Sequence, residues 1–579
     1  MESLEDKFKE ALKSHQEKDL KTAEKLLIEI LKVEPNHLNT NFFLGTILLQ
    51  KKDFDRSREL FLKVISLNPE NPDSYNNLGI AMKELGQKSK AITCFQKAIE
   101  FKPDHNTAHN NLGIVLKELG EYDRAQNSYE KAIQIDANNA EAYNNLGIIF
   151  TEYGEHEKSA ECFQKAIAIK PNFLKAYGNL LFNYCWLDGG RKYLGLAKKY
   201  CDLIPNYNEN LGVKRKISGE KTLKIGFISG DFKDHPVTYF LLDTLKNLKK
   251  KNVKLFAYSN NIIKDDYTLL LEKNFDKWTI TFNKSDQDVI KIIRDDSLDI
   301  LFDLSGHTKG NQLFVFKNRC APVQATWSGW LASTGIKEID YIVGDPYVLS
   351  SNYQSRFVEK IYTLKKIWQS MSISNLDPNI FFTEKRNDNT IIFGSFNNTI
   401  KINENVLKTW CKILNKVSNS KLFLKYGSLD IPEIKKNFIS KLKLNGIDEN
   451  QIIMEGRSSR KDYLKCYNKI DIILDSFPIG GVTTNFEASY MGVPILTMSN
   501  ENNVWFNGGV SINKNLNMKD WIAANEEDNI SKAIKFSENK KNLLDLKKDL
   551  RNTALKSPLF NSEDFSNNFY EMILDLKSK

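Results

Sequence analysis

Cysteine is scarce in this chain: there are seven in 579 residues, and no two are spaced C-x-x-C. An odd count leaves one thiol outside any disulfide scheme, so the cysteines read as buried, reduced thiols. Long hydrophobic runs are missing too. No stretch reaches the ~18 uninterrupted apolar residues of a membrane span. The opening Met-Glu-Ser-Leu-Glu-Asp-Lys is charged and lacks the apolar core of a secretory signal, which makes a cytoplasmic setting the expectation. Excess charge of one sign is weak: 82 basic against 73 acidic residues give +9, and no Lys/Arg tract is interleaved with aromatics. That argues against a nucleic-acid groove and leaves room for a phosphate-bearing small ligand. The hydrophobic share of 41% and charged share of 27% are those of ordinary globular proteins. At ~150 residues per domain the length predicts three to four units.

What is present is a repeat. Gly45, Gly79, Gly113 and Gly147 recur every 34 residues, and Pro35, Pro69, Pro103, Pro171 and Pro205 keep the same period, with Ala137 in the remaining slot. Three units read Asn-Asn-Leu-Gly, at 76–79, 110–113 and 144–147, each followed by a second glycine at Gly86, Gly120 or Gly154. The pattern resembles the tetratricopeptide repeat, a pair of antiparallel helices. In that motif the first glycine allows close helix approach, the second relaxes the turn, and the proline stops the second helix. Five repeats span about residues 4–173; a sixth, 174–207, keeps Asn179 and Pro205 without either glycine. Stacked repeats form a superhelix lined by their first helices. Asn77, Asn111, Asn145 and Asn179 occupy equivalent positions there. Such an amide ladder either holds an extended peptide by its backbone or caps and solvates helices.

Beyond residue 220 the texture becomes strand and helix in alternation. Apolar strands are expected at 223–229, 253–258, 300–304 and 341–343, with helices at 239–248 and 286–294. A second series follows at 390–396, 422–425, 451–454, 470–475 and 494–497. This alternation predicts two doubly wound lobes with ligands at the carboxyl ends of their strands. The expected domains are a repeat superhelix over 1–207, a first lobe over 208–388 and a second over 389–579.

In the second lobe, residues 474–488 read Leu-Asp-Ser-Phe-Pro-Ile-Gly-Gly-Val-Thr-Thr-Asn-Phe-Glu-Ala. A strand runs into Gly480 and Gly481, then Thr483 and Thr484 at a helix start, then Glu487 one turn in. Free amides and the positive helix end suit a phosphate, with the threonine hydroxyls as donors to a pyrophosphate and Glu487 as acceptor from ribose. A plain capped helix start fits the same residues.

Together, the repeats and lobes resemble the protein O-linked N-acetylglucosamine transferase family, including the plant SPINDLY-type O-fucosyltransferases, over about residues 4–575. The matching segments are 230–236 (Gly-Asp-Phe-Lys-Asp-His-Pro), 306–310 (Gly-His-Thr-Lys-Gly), 321–327 (Ala-Pro-Val-Gln-Ala-Thr-Trp), 393–398 with Lys401, 475–494, and 557–561 (Ser-Pro-Leu-Phe-Asn). The resemblance implies an α-solenoid followed by an α/β GT-B fold of two Rossmann-like lobes. It also implies a nucleotide-sugar donor, protein Ser/Thr hydroxyls as acceptors, inverting transfer, and no metal or other cofactor. Lys401 matches the lysine that contacts the diphosphate, and His235 the histidine near the acceptor hydroxyl, as base or as orienting group. His307 is a possible cleft residue, with a packing role behind the cleft as the favoured reading. Gln324 and Asn397 fall in matching segments as donor-binding residues. Tyr463 stands where animal members place a base-stacking histidine, Val482 replaces a histidine before the threonine pair, and both 506–511 (Phe-Asn-Gly-Gly-Val-Ser) and 393–398 (Phe-Gly-Ser-Phe-Asn-Asn) are closer to the SPINDLY type. UDP-N-acetylglucosamine and GDP-fucose both remain as donors. The connection at 346–389 is too short for the intervening domain of animal enzymes. Asp295-Asp296 precedes a strand, whereas metal-binding carboxylates of transferases follow one. A repeat scaffold that only binds peptides is the remaining alternative.

Overall fold

The computed structural model describes residues 3–187, 190, 192–207, 222–376, 380, 389–499 and 507–578. The chain divides into two compact units, residues 1–150 with 161–171, and residues 151–160 with 172–579.

Twelve helices come first: α1 (Leu4–Gln16), α2 (Leu20–Val33), α3 (Leu38–Gln50), α4 (Phe54–Leu67), α5 (Pro72–Glu84), α6 (Lys88–Phe101), α7 (Asn106–Glu118), α8 (Tyr122–Ile135), α9 (Ala140–Glu152), α10 (His156–Ile169), α11 (Leu174–Leu187) and α12 (Tyr193–Leu203). Each repeat glycine seats an aromatic ring sixteen residues on. A Cβ on Gly79 would stand 2.6 Å from the Phe95 ring, and one on Gly113 2.6 Å from Tyr129. Phe61, Phe95, Tyr129 and Phe163 thus fill the same buried place in successive repeats. The turn inside each helix pair needs a left-handed residue, supplied by Lys18 and Lys52 and then by Gly86, Gly120 and Gly154.

The second unit holds two parallel sheets. The first contains β1 (Leu223–Ser229), β2 (Val253–Ser259), β3 (Lys277–Ile280), β4 (Ile300–Asp303), β5 (Val323–Thr326), β6 (Tyr341–Gly344) and β7 (Lys360–Thr363), in the order β3-β2-β1-β4-β5-β6-β7. The second contains β8 (Ile391–Ser395), β9 (Ser420–Lys425), β10 (Ile452–Glu455), β11 (Ile472–Leu474), β12 (Ile495–Met498) and β13 (Ile522–Ala523), in the order β10-β9-β8-β11-β12-β13. The central strands are buried along their length because helices cover both faces. Strand order reverses between β1 and β4 in one lobe and between β8 and β11 in the other. These are the points where doubly wound folds leave a ligand crevice. The two-lobed α/β architecture after a helical solenoid is the one expected.

Two expected boundaries move. Residues 172–207 group with the sheets instead of ending the repeat array. The Tyr193 hydroxyl on α12 donates to the Ser333 carbonyl at 3.0 Å and accepts from the Trp330 indole at 2.9 Å, so this helix pair has become a wall of the first lobe. At the other end, the helix Ser562–Ser578 returns to the first sheet. Phe569 lies 4.5 Å from Trp327 and 5.4 Å from Phe302 between ring centroids, and the Ser566 hydroxyl reaches the Thr244 carbonyl. The second lobe expected over 389–579 therefore gives its last helix to the first, where apolar rings of β4 and the β5 exit would otherwise face water.

Candidate active site

The second lobe's switch point gathers most of the predicted residues. The exit of β8 carries Phe396 and Asn397 into a single 3-10 turn, Thr399–Lys401, which the Asn398 side chain caps by accepting from the Ile400 amide at 3.3 Å. The exit of β11 carries Asp475 into the Gly480-Gly481 turn and the helix Thr483–Tyr490.

Asp475, which the sequence reading did not single out, organises this turn. Its buried carboxylate accepts from the Gly481 amide at 2.7 Å, Asn485 Nδ2 at 2.9 Å, Thr497 Oγ1 at 2.9 Å and Asn397 Nδ2 at 3.2 Å. Burial pushes its pKa up, while these donors and the nearby Lys401 ammonium pull it back. Asn397 completes the link: its Oδ1 accepts from Thr484 Oγ1 at 2.9 Å. Both glycines are dictated by crowding, since a Cβ on Gly480 would lie 2.7 Å from Asp475 Oδ2 and one on Gly481 2.4 Å from Thr484 Oγ1.

Lys401 crosses from the first exit to the second and donates from Nζ to the Gly480 carbonyl at 2.9 Å. Loss of water around the ammonium lowers its pKa to about 8, with Asp475 opposing the shift. Val482 provides no side-chain cap for the helix Thr483–Tyr490, and the Thr483 and Thr484 amides find no acceptor among the described residues. A cation and an uncapped helix start thus face one place, a combination suited to an anion.

Glu487 is buried and already engaged. Its Oε1 accepts from Arg460 Nη1, and its Oε2 from the hydroxyls of Tyr463 at 3.0 Å and Tyr467 at 3.2 Å. Tyr463 also packs against Phe396, with centroids 5.4 Å apart. Arg460, which the sequence reading passed over, reaches the first lobe. Its guanidinium lies 4.7 Å from the Tyr239 ring centroid, and beside it Phe240 meets Phe486 at 5.0 Å. Tyr239 and Phe240 belong to α13 (Pro236–Leu248), whose N-cap is His235.

His235 thus stands at the helix start, following the exit of β1. Its Nδ1 accepts from the Val237 amide at 3.4 Å and lies 3.9 Å from Asp231 Oδ2. Burial lowers its pKa, while Asp231 opposes the change. In the neutral ring with Nδ1 accepting, the proton is on Nε2.

Three other positions differ from their expected use. Gln324 lies inside β5, wholly buried. Its amide donates to the Phe316 and Glu338 carbonyls and its Oε1 accepts from the Cys320 amide, so it staples the first lobe and does not face the donor residues. His307 is also buried, ringed by Tyr193, Tyr200 and Trp330, with Nε2 donating to the Thr334 carbonyl at 2.9 Å. Burial drops its pKa to about 4, so it is neutral and forms part of the packing under α12. The asparagine ladder bonds to itself: Asn111 Nδ2 donates to Asn76 and Asn145 Nδ2 to Asn110, each at 3.0 Å, and Asn76 donates to Asn77. Asn179 lies on α11, in the other unit. Phe506, at the head of the 506–511 segment, lies outside the described residues; Gly508 and Gly509 pack against Val482 and Asp475. Asp296 accepts from Lys277 and from the Tyr258 hydroxyl. Among the described residues no cluster of three His, Cys, Asp or Glu side chains suits a metal.

Comparison with known proteins follows the same division. The family model described as Glycosyl transferase family 41 matches residues 204–371 and 381–569. Tetratricopeptide-repeat models match 38–71, 60–93, 83–120 and 104–172. A probable UDP-N-acetylglucosamine–peptide N-acetylglucosaminyltransferase SPINDLY of Solanum lycopersicum is 31% identical over 386 residues, 66% of this chain and 40% of that protein. A probable UDP-N-acetylglucosamine–peptide N-acetylglucosaminyltransferase SEC of Arabidopsis thaliana is 28% identical over 393 residues, 64% of this chain and 39% of its own length. The chain therefore spans about 40% of these curated relatives. Among solved structures, a Thermobaculum terrenum O-GlcNAc transferase mutant superposes with a TM-score of 0.78 over 88% of this chain and 97% of that one, at 24% identity, a likeness of fold. With the family model covering more than half of its residues, the chain belongs to glycosyl transferase family 41.

Proposed function

We propose that this chain is an inverting protein glycosyltransferase that moves N-acetylglucosamine from UDP-N-acetylglucosamine to Ser/Thr hydroxyls of proteins. The observation that carries the reading is the Lys401 ammonium held on the Gly480 carbonyl beside the uncapped start of the helix Thr483–Tyr490. As the acceptor oxygen bonds to the anomeric carbon, the bond from that carbon to the diphosphate breaks and negative charge collects on the leaving phosphates. Lys401, the amides of Thr483 and Thr484, and the Thr483 hydroxyl supply the positive field without a metal. The pairing of Glu487 with Arg460 and Tyr463 beside this turn supports a ribose and base site there.

His235 fits an orienting role: with the proton on Nε2 it donates to the acceptor oxygen, whose own proton passes to a phosphate oxygen of the donor. The carboxamide oxygens of Asn111 and Asn145, whose N–H groups serve the neighbouring repeat, fit the backbone amides of an extended acceptor peptide. GDP-fucose is the alternative donor, on the SPINDLY-like segments 393–398 and 507–511.

Incubating the protein with labelled UDP-N-acetylglucosamine or GDP-fucose, a cell lysate and EDTA tests both donors. Label on protein from UDP-N-acetylglucosamine, lost in Lys401→Ala, is the expected result. Label from GDP-fucose alone reassigns the donor. No transfer from either points to a peptide-binding scaffold, and transfer undiminished in Lys401→Ala defeats the site.

A further inference from the structure

The turn that aims Lys401 is held from outside its own lobe. The Thr399–Lys401 turn uses the Asn398 and Thr399 carbonyls for its internal bonds, from the Lys401 and Ile402 amides, and leaves the Ile400 carbonyl over. That carbonyl accepts from His156 Nε2 at 3.0 Å. His156 is the first residue of α10, at the turn after α9, and the same turn touches the second lobe twice more. The Tyr153 carbonyl accepts from Lys441 Nζ at 3.0 Å, and a Cβ on Gly154 would stand 3.4 Å from the Ile402 carbonyl. The His156 ring is itself fixed, stacked on Trp186 with centroids 5.0 Å apart and planes 7° apart. Because a carbonyl only accepts, Nε2 carries the proton; burial lowers the ring's pKa and keeps it neutral.

Three seats converge on residues 400–402 and on the helix behind them, and of these the histidine's is the one hydrogen bond made to a residue flanking Lys401. We propose that His156 is a positioning residue for Lys401: its bond to the Ile400 carbonyl fixes the turn that directs the lysine ammonium at the leaving diphosphate. Displacements of about 1 Å at such a centre cost up to ~100-fold in rate, so loss of the bond reaches the chemistry without touching the ligand. The inference rests on the role given to Lys401 above.

The test compares His156→Ala, His156→Gln, Lys401→Ala and the double variant His156→Ala/Lys401→Ala in the full chain, with melting curves to verify folding. Two readouts are taken: transfer rate with the labelled donor, and affinity for UDP and GDP by calorimetry. We expect His156→Ala to lower kcat about tenfold and to weaken diphosphate binding. His156→Gln, whose Nε2 donates from nearly the same place, restores both. In the Lys401→Ala background, His156→Ala changes diphosphate affinity no further, because its effect passes through the lysine. A His156→Ala protein with wild-type kcat overturns the proposal, as does an undiminished effect in the Lys401→Ala background. If Lys401→Ala alone transfers and binds like wild type, the reading of the active site falls and this proposal with it. A loss confined to Lys401→Ala, or additivity of the two substitutions, refutes the positioning role and leaves the site standing.

Discussion

Asp475 and Gly481 are joined by a 2.7 Å hydrogen bond from the glycine amide to the carboxylate, and this contact sets the shape of the proposed phosphate turn. Three side chains, Asn397, Asn485 and Thr497, donate to the same carboxylate. Asp475→Ala leaves these buried donors without an acceptor. A loss of roughly 3 kcal/mol in stability is expected, together with loss of UDP and GDP binding. Denaturant unfolding and calorimetry measure the two effects, and a variant that binds nucleotide normally would show the turn to be self-supporting.

Lys401 gives a pH signature. Its pKa lies near 8, so the ammonium is charged at neutral pH and loses its proton as pH rises through that value. kcat/KM, which reports the free enzyme, is expected to fall on the alkaline side with an apparent pKa near 8. Lys401→Arg keeps its charge at every accessible pH and should flatten that limb while lowering the maximum. The sign for stability is opposite. Between about 8 and the ordinary lysine value the unfolded chain binds the extra proton, so this group makes folding more favourable as pH rises through that window.

Arg460 carries a separate prediction. It pairs with buried Glu487 in its own lobe and lies on Tyr239 of the other. Arg460→Ala strands the carboxylate, at a cost of about 3 kcal/mol, whereas Tyr239→Leu keeps the ion pair while removing the inter-lobe contact and the hydroxyl's bond to Asp234, at a cost of about 1–2 kcal/mol. Thermal melts of the two variants should therefore separate the ion pair from the lobe contact.

In the repeats, Gly79→Ala forces a methyl to 2.6 Å from the Phe95 ring. Overpacking of this kind costs about 1–3 kcal/mol. Gly86→Ala, at φ 75° with open space around it, should cost about 1 kcal/mol from backbone conformation alone. Urea denaturation followed by helical circular dichroism distinguishes the larger loss from the smaller.

Regular periodicity made the fold legible. A 34-residue spacing announces helix pairs, and unbroken apolar runs announce the central strands. The edge strands β3 and β7 escaped because they are four residues long and half exposed, so they carry no continuous apolar run. β5 escaped for another reason: its polar Gln324 and Thr326 turn inward to bond within the lobe. The Gly-Gly-x-Thr-Thr turn was readable because its glycines and hydroxyls are local in sequence. Asp475, Arg460 and His156 were not, because each acquires its role from partners that chain order does not reveal. The Ile400 carbonyl that His156 holds is 244 residues away.

The return of the helix Ser562–Ser578 to the first sheet bears on biosynthesis. Trp327 and Phe302 receive their aromatic lid from Phe565 and Phe569, over 230 residues later. A ribosome that has just extruded the first lobe has delivered a sheet with one face still wet. That lobe matures only after the second lobe has emerged, so the two halves are obliged to ripen together, and during translation the earlier one is the natural client of chaperones.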